Sequence, residues 1–448
     1  MDNAKKLQGK VADGISKGAD AMKNFTNELM SDGNCYLVVV YLVCIIFLVI
    51  FTYSLYLKKE LSKADANLKK MKEISILDAP INALSPGDYN KKDTGNGNDS
   101  YFSLMDYNIM GSYNSCCSGP VINGHVSLEA LNNVIKQGVR FLDFEIYLKN
   151  NEVVVAAGRN NIYIKDTLNE LNLGEVLEEV KNKALGTVAQ NNTDPLILQF
   201  RIMSGNSAIY DVLAKSIKKN FKNHLASANY GKGGIIVQPN TEGNAKNRNY
   251  SGNGKNKFKN NILYADLRTL KNKVIISVKD HDDFLGGYKG NRALFELVNI
   301  GNATNDTNVY WISDYDINTS SLTSTIEENK YNYCVTYPNV FNNKENSKAS
   351  LHFRFGCQAI LMNFGAGFDD TQMKFYKEKF QNAGKAFLLK PENLRRTRLF
   401  LGAPTPPDPQ LGVVQEKVYI DYGGPEKMYL GYMPGGGHMN AEEPVDTN

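Results

Sequence analysis

From Cys35 to Leu57 the chain reads CYLVVVYLVCIIFLVIFTYSLYL, an apolar run without a charged residue. The hydrocarbon core of a bilayer takes roughly 20 apolar residues of helix, so this run predicts a single transmembrane helix. It is too long and begins too late for a cleaved signal peptide. Before it, residues 1–34 place Val11, Ile15, Ala19, Met22 and Phe25 at loose helical spacing among Lys and Asp. That pattern predicts an amphipathic helix ending near Gly33, and a solvated tail accounts for it equally well. After the apolar run, residues 58–75 read as a charged helix, and the Pro, Gly, Asn and Asp of 76–100 read as a linker.

From Tyr101 onward short apolar runs alternate with helical patterns. VRFLDFEIYL, EVVVAAG, PLILQFRI, KVIISVKD and AILMNFGAG have the character of strands, whereas LNLGEVLEEVKNKAL, AIYDVLAKSIKKNF and QMKFYKEKFQNAG repeat with helical period. Such alternation predicts parallel β/α units. Continued over residues 101–400, it suits a closed (β/α)8 TIM barrel. The Asn/Gly/Lys-rich segment 239–261 reads as a mobile insertion. Residues 401–448 read as an extended C-terminal tail with a short strand at Lys417 to Tyr422.

Composition adds limits. With 42% hydrophobic and 22% charged residues in 448, a sizeable core is available. The net charge of +4 comes from scattered bases, so no nucleic-acid partner is implied. Six cysteines follow neither a disulfide framework nor a zinc spacing, which fits a reducing compartment. Lys58, Lys59, Lys63, Lys69, Lys70 and Lys72 flank the apolar run on its C-terminal side, against Lys23 on the other. The positive-inside rule therefore predicts a single-pass protein with its barrel on the cytoplasmic side. The sequons at Asn98, Asn249 and Asn302 would argue the opposite if used, but a chain this rich in Asn produces them by chance.

Barrel chemistry is built at the C-terminal ends of the strands. Asp143 and Glu145 lie at i and i+2 in the first strong strand pattern and so point to one face. Two anions facing a barrel interior need a cation or a hydrogen-bond network. Neighbouring bases at a strand end would serve as well as a functional site.

The segment GSYNSCCSGPVINGHVSLEALNNVIKQGVRFLDFEIY resembles the opening of the X box of phosphatidylinositol-specific phospholipase C. EVVVAAG is similar to the strand that normally ends in His-Gly, PLILQFR to Pro-Val-Ile-Leu-Ser-x-Glu, and KVIISVKD to the strand that carries substrate-binding lysines. FGCQAILMNFGAGFDDTQMKFYKEKFQNAGKAFLLKPENLR resembles the Y box, and the matches together span about residues 105 to 396. The resemblance implies a phospholipase-C-like phosphodiesterase barrel with two acid/base histidines, which suit proton transfer near neutral pH. It also implies a Ca²⁺ held by an Asn and three carboxylates.

Carried over residue by residue, the two histidine positions fall on Tyr113 and Ala157. Of the metal ligands, Asn114 is kept, Asp143 and Glu145 exchange Asp for Glu, and the fourth falls on Arg201. One substrate lysine is replaced by Ser277 and the other is kept as Lys279. The aromatic position that stacks on the inositol ring falls near Ser347. Arg201 would repel a metal and pair with Asp143 and Glu145, which predicts a salt-bridge network in a degenerate metal site. Lys279 and Arg159 are candidates for binding phosphate, with plain surface solvation the alternative. His125 and His281 are the histidines that could approach the mouth, and a surface role suits both.

The expected function is therefore a membrane-anchored, catalytically inactive barrel that serves as a binding or structural module. The alternative is an active phosphoric diester hydrolase with a rearranged site, using Tyr113 with Lys279 or Arg159. No cofactor is expected, and Ca²⁺ only where the degenerate site still holds it. Expected partners are the membrane, through residues 35–57, and a phosphoinositide or another anion. An Asn- and Lys-rich barrel fused to an anchor resembles proteins of large DNA viruses, which adds a virion or virus-associated membrane to the candidate locations.

Overall fold

Runs rich in β-branched and aromatic residues form the strands of the barrel in a computed structural model of the chain. Residues 20–21, 23–24, 27, 35–93, 100–159, 164–226, 261–280, 287–301, 309–318, 320–339, 346–365, 370–396, 417–420 and 428–432 are described. The eight strands are β1 (Tyr107–Ser112), β2 (Phe141–Lys149), β3 (Leu196–Ile202), β4 (Val274–Asp280), β5 (Ile300–Gly301), β6 (Val309–Ser313), β7 (Tyr333–Tyr337) and β8 (Ala359–Met362). They hydrogen-bond in the order β6-β7-β8-β1-β2-β3-β4-β5, every neighbouring pair parallel. The two edge strands are consecutive in the chain, so the sheet curls into a (β/α)8 barrel.

Helix α1 (Cys35–Leu77) precedes the barrel. Helices α2 (Leu128–Lys136), α3 (Leu173–Ala184), α4 (Ala208–Phe221), α5 (Leu322–Tyr331), α6 (Ala349–Phe355) and α7 (Thr371–Ala383) connect its strands or follow the last of them. Their limits follow from their sequences. Ser127 caps α2 by accepting the Glu129 amide, and Gly138 then turns the chain at φ +86°, a conformation glycine adopts without steric cost. α2 buries Ala130, Leu131, Val134 and Ile135, the helical stripe that its sequence sets apart.

The N-terminal face of the barrel is tied by a buried cation. Arg140, fully buried, donates to the carbonyls of Ala184, Asp194 and Pro195. Beside it Asp194 Oδ1 accepts the Leu84 amide at 2.9 Å and the Tyr89 hydroxyl at 3.1 Å. Residues 81–91, whose composition reads as linker, are thus packed on the barrel, with Ile81, Leu84 and Tyr89 in its core. The polar residues around these three are turn formers: Ser85 caps a short helix at Pro86–Tyr89.

α1 is one continuous helix. Its apolar half is exposed and long enough to cross a membrane, while Ala64 and Met71 in the second half are buried and Leu68 packs on the core. The described residues of 92–101 and of 397–448 belong to a separate unit. In it Lys92–Asp93 pairs antiparallel with Ser100–Tyr101, and Lys417–Ile420 with Met428–Tyr432. Most of the tail 1–34 and of the 239–261 insertion lie outside the described residues.

Candidate functional site

The register of β2, β3 and β4 decides which side chains meet. Asp143 pairs with Gln199 and Glu145 with Arg201, and the same rows continue to Ser277 and Lys279 on β4. Side chains two residues apart share a face, so both rows point into the mouth of the barrel. Phe144 and Phe200, of opposite parity, stack on each other with ring centroids 5.9 Å apart.

Arg201 occupies the centre. Its Nε donates to Asp143 Oδ1 at 3.0 Å and its Nη2 to Asp143 Oδ2 at 3.1 Å, while Nη1 lies 3.2 Å from Glu145 Oε2. Nη2 also makes a short hydrogen bond to Asn114 Oδ1. The Arg201 side chain is 5% exposed and both carboxylates are fully buried. The carboxylates have further donors: the Asn114 amide and Gln199 Nε2 to Asp143, and the Tyr147 hydroxyl and Gly158 amide to Glu145. Burial pushes the Glu145 carboxyl up against the pull of Arg201. Arg201 itself is held protonated by Asp143 in spite of its burial. Asn114 sits at φ 45°, a left-handed conformation that Asn tolerates better than most residues.

The structure thus brings Asn114, Asp143, Glu145 and Arg201 together. This donor set does not suit Ca²⁺, because the Arg201 guanidinium lies among Asn114, Asp143 and Glu145 and engages the oxygens that a cation would need. Among the described residues no cluster of three or more His, Cys, Asp or Glu side chains is arranged to hold a metal ion.

Tyr113 stacks on Tyr337, ring centroids 5.9 Å apart, and its ring lies 4.6 Å from the Arg201 guanidinium carbon. Burial pushes its phenol well above the ordinary value, which removes it as a base near neutral pH. Ala157 is fully buried and has no proton to give. Lys279 lies 4.9 Å from the Tyr337 ring centroid and 6.0 Å from that of Trp311, and burial lowers its amine to about 8.

Tyr113, Gln199, Arg201, Lys279, Trp311 and Tyr337 line a cleft with about 210 Å³ of empty space, of which the part a water can enter holds roughly one water. No histidine is among them. His125 is half-buried in the loop after β1, and His281 lies outside the described residues. Arg159, a candidate phosphate ligand, is instead exposed and bound through Nε and Nη2 to Asp166. Its position just past the strand end leaves it to a local acid rather than to the mouth. Ser347 is fully buried, and the aromatic surface comes from Trp311 and Tyr337. Sequence reasoning missed Gln199, which joins Asp143 to the Trp311 indole at 2.7 Å. Its place two residues before Arg201 was the available signal.

Comparison with known proteins adds to this geometry. Residues 102–244 match the X domain of phosphatidylinositol-specific phospholipase C. The matched span includes Tyr113, Ala157 and the Arg201 network. Among solved structures, PLC21 of L. pealei and PLC21 of S. officinalis are each 18% identical to the chain at a TM-score of 0.50. Each match covers 67% of this chain and 39% or 38% of the relative. Phosphatidylinositol-specific phospholipase C from Listeria monocytogenes, 9% identical at a TM-score of 0.35, matches over 64% of this chain and 95% of its own. The chain therefore spans well under half the length of the first two relatives. No curated protein matches it. The barrel is phospholipase-C-like in fold.

Proposed function

We propose that the chain is a membrane-anchored, phospholipase-C-like barrel without turnover, acting on the cytoplasmic side of its membrane as a binding or structural module. The observation that carries this reading is the filling of the would-be metal site by Arg201, whose guanidinium engages Asp143, Asn114 and Glu145. Absence of an acid/base pair supports it, since Tyr113 holds its proton and Ala157 has none. Lys279 makes no ion pair or hydrogen bond among the described residues and remains the cation most open to an anionic headgroup. The anchor is the apolar half of α1.

The test is hydrolysis of labelled phosphatidylinositol and its 4,5-bisphosphate by the full chain in nanodiscs, with Ca²⁺ and with chelator, beside Arg201→Glu. We expect no release of product by the unaltered chain, and Ca²⁺ binding by calorimetry in the variant alone. Product above a heat-denatured control would overturn the reading and favour a hydrolase with a rearranged site.

A further inference from the structure

Helix α1 contains no proline or glycine between Cys35 and Leu77, so its sequence supplies no hinge between the apolar half and the half that meets the barrel. The second half is fixed at two levels. Near the C-terminal face, Asn67 lies against Gly119 in the loop after β1, where a Cβ would sit 2.8 Å from Nδ2. Near the N-terminal face, Asp78 pairs with Lys377 at 2.9 Å, the Asn82 amide donates to the Gly384 carbonyl at 2.8 Å, and Ile81 covers Gly138. Met71, between these levels, is 1% exposed within the core. Gly119 follows the C-terminal end of β1, whereas Gly138 precedes the N-terminal end of β2 and Gly384 closes α7, the helix that returns from the C-terminal end of β8. α1 therefore runs antiparallel to the barrel strands, and its apolar half departs on the side of the mouth.

We propose that α1 is a rigid stalk that holds the mouth of the barrel toward the membrane its apolar half enters, so that the face carrying Lys279, Trp311 and Tyr337 meets the headgroup layer of that same membrane. The inference rests on reading Cys35–Leu57 as a span. From Leu57 to Asn67 the helix rises about 15 Å, which brings the rim loops to the edge of the headgroup region. Outside α1, the two most exposed large apolar side chains among the described residues are on that rim: Ile164 at 58% and Tyr315 at 64%. A tyrosine with its ring in the interface and its hydroxyl in water suits such a place. The rigid seam restricts the mouth to lipid in its own bilayer and turns it away from a facing one.

The full chain is reconstituted in nanodiscs carrying a rhodamine-headgroup lipid, with Cys35 and Cys44 replaced by Ser. A donor dye is placed singly through Ile164→Cys or Tyr315→Cys on the rim, and through Val188→Cys or Tyr331→Cys on the opposite face. The levels of Asn67 and Asp78 are about 16 Å apart along the helix, so energy transfer from the rim should exceed that from the opposite face by about twofold or more. A Gly-Ser-Gly-Ser insertion between Lys59 and Glu60 should remove the difference. Resistance of the same protein to alkaline extraction from liposomes is measured separately. An integrated protein with equal transfer from both faces, or more from Val188 and Tyr331, overturns the stalk and leaves the span. Extraction from the bilayer overturns both.

Discussion

At residue 201 a single guanidinium changes what two buried carboxylates can be. Asp143 and Glu145 are fully buried, and each has hydrogen-bond donors besides Arg201, so their geometry does not depend on the arginine but their charge does. Removing one member of a buried ion group typically costs about 3–5 kcal/mol, because the remaining charge is left without compensation. Arg201→Met should therefore lose about that much in urea unfolding at pH 7, and adding Asp143→Asn with Glu145→Gln should recover most of it. A single variant within about 1 kcal/mol of the unaltered chain would show that the carboxylates are already neutral. The pH response carries a sign. Glu145 is raised by burial, so the folded chain holds that proton more tightly than the unfolded one, and stability falls as pH rises above the ordinary carboxylate range. Without Arg201 that fall steepens, and acid restores the variant.

The segment 81–91 shows at the level of an element why some structure was hidden in the sequence. Strands β2, β3, β4 and β8 were legible because their apolar runs are bounded by turn residues, and the i, i+2 spacing of Asp143 and Glu145 marked the inward face. The Pro, Gly, Asn and Asp of 80–91 carry no periodicity, so nothing local announces that Ile81, Leu84 and Tyr89 are core. Leu84 and Tyr89 are held by a partner more than a hundred positions away, Asp194, and Ile81 packs on Gly138. Burial raises that carboxyl from 3.8 to about 6, and its Oδ2 is buried without a protein partner. Between those values the folded state binds the proton more tightly, so stability should fall as pH rises from about 4 to 6 and level off above, by on the order of 2–3 kcal/mol. Asp194→Asn keeps the accepting Oδ1 and should flatten that slope without loss at pH 7. A loss beyond about 2 kcal/mol would mean that Arg140 requires the ionised acid. Gly138→Ala strains the same clasp twice, through φ +86° and through a Cβ 2.3 Å from that of Ile81. It should cost about 1–3 kcal/mol in the same unfolding measurement.

For the whole molecule, the boundary suggested by composition and the boundary made by packing differ. Composition places the barrel from Tyr101 and the family resemblance from about residue 105, and the X-domain match begins at residue 102. Packing begins earlier, since Met71, Ile81, Leu84 and Tyr89 are 1 to 6% exposed within the one core that also contains the strands. The cleft was legible only in part for a related reason. Arg201 and Lys279 stand on strands with clear patterns, but Trp311 and Tyr337 reach the mouth from β6 and β7, whose alignment with β2 exists only once the barrel has closed. Fully burying an apolar side chain of this size contributes about 1.5–3 kcal/mol, so cutting the chain at Tyr101 removes four such contributions and also exposes Asp194 and Gly138. That loss is comparable to the whole stability of an ordinary domain. A chain shortened to begin at Lys58 should unfold cooperatively near the temperature of the full protein, whereas one beginning at Tyr101 should be recovered aggregated or melt many degrees lower. Equal melting of the two by calorimetry would show that α1 and the 81–91 clasp lie on the barrel without supporting it. It would also remove the mechanical basis for a stalk, because a helix that contributes nothing to the fold it touches cannot hold that fold at a fixed angle.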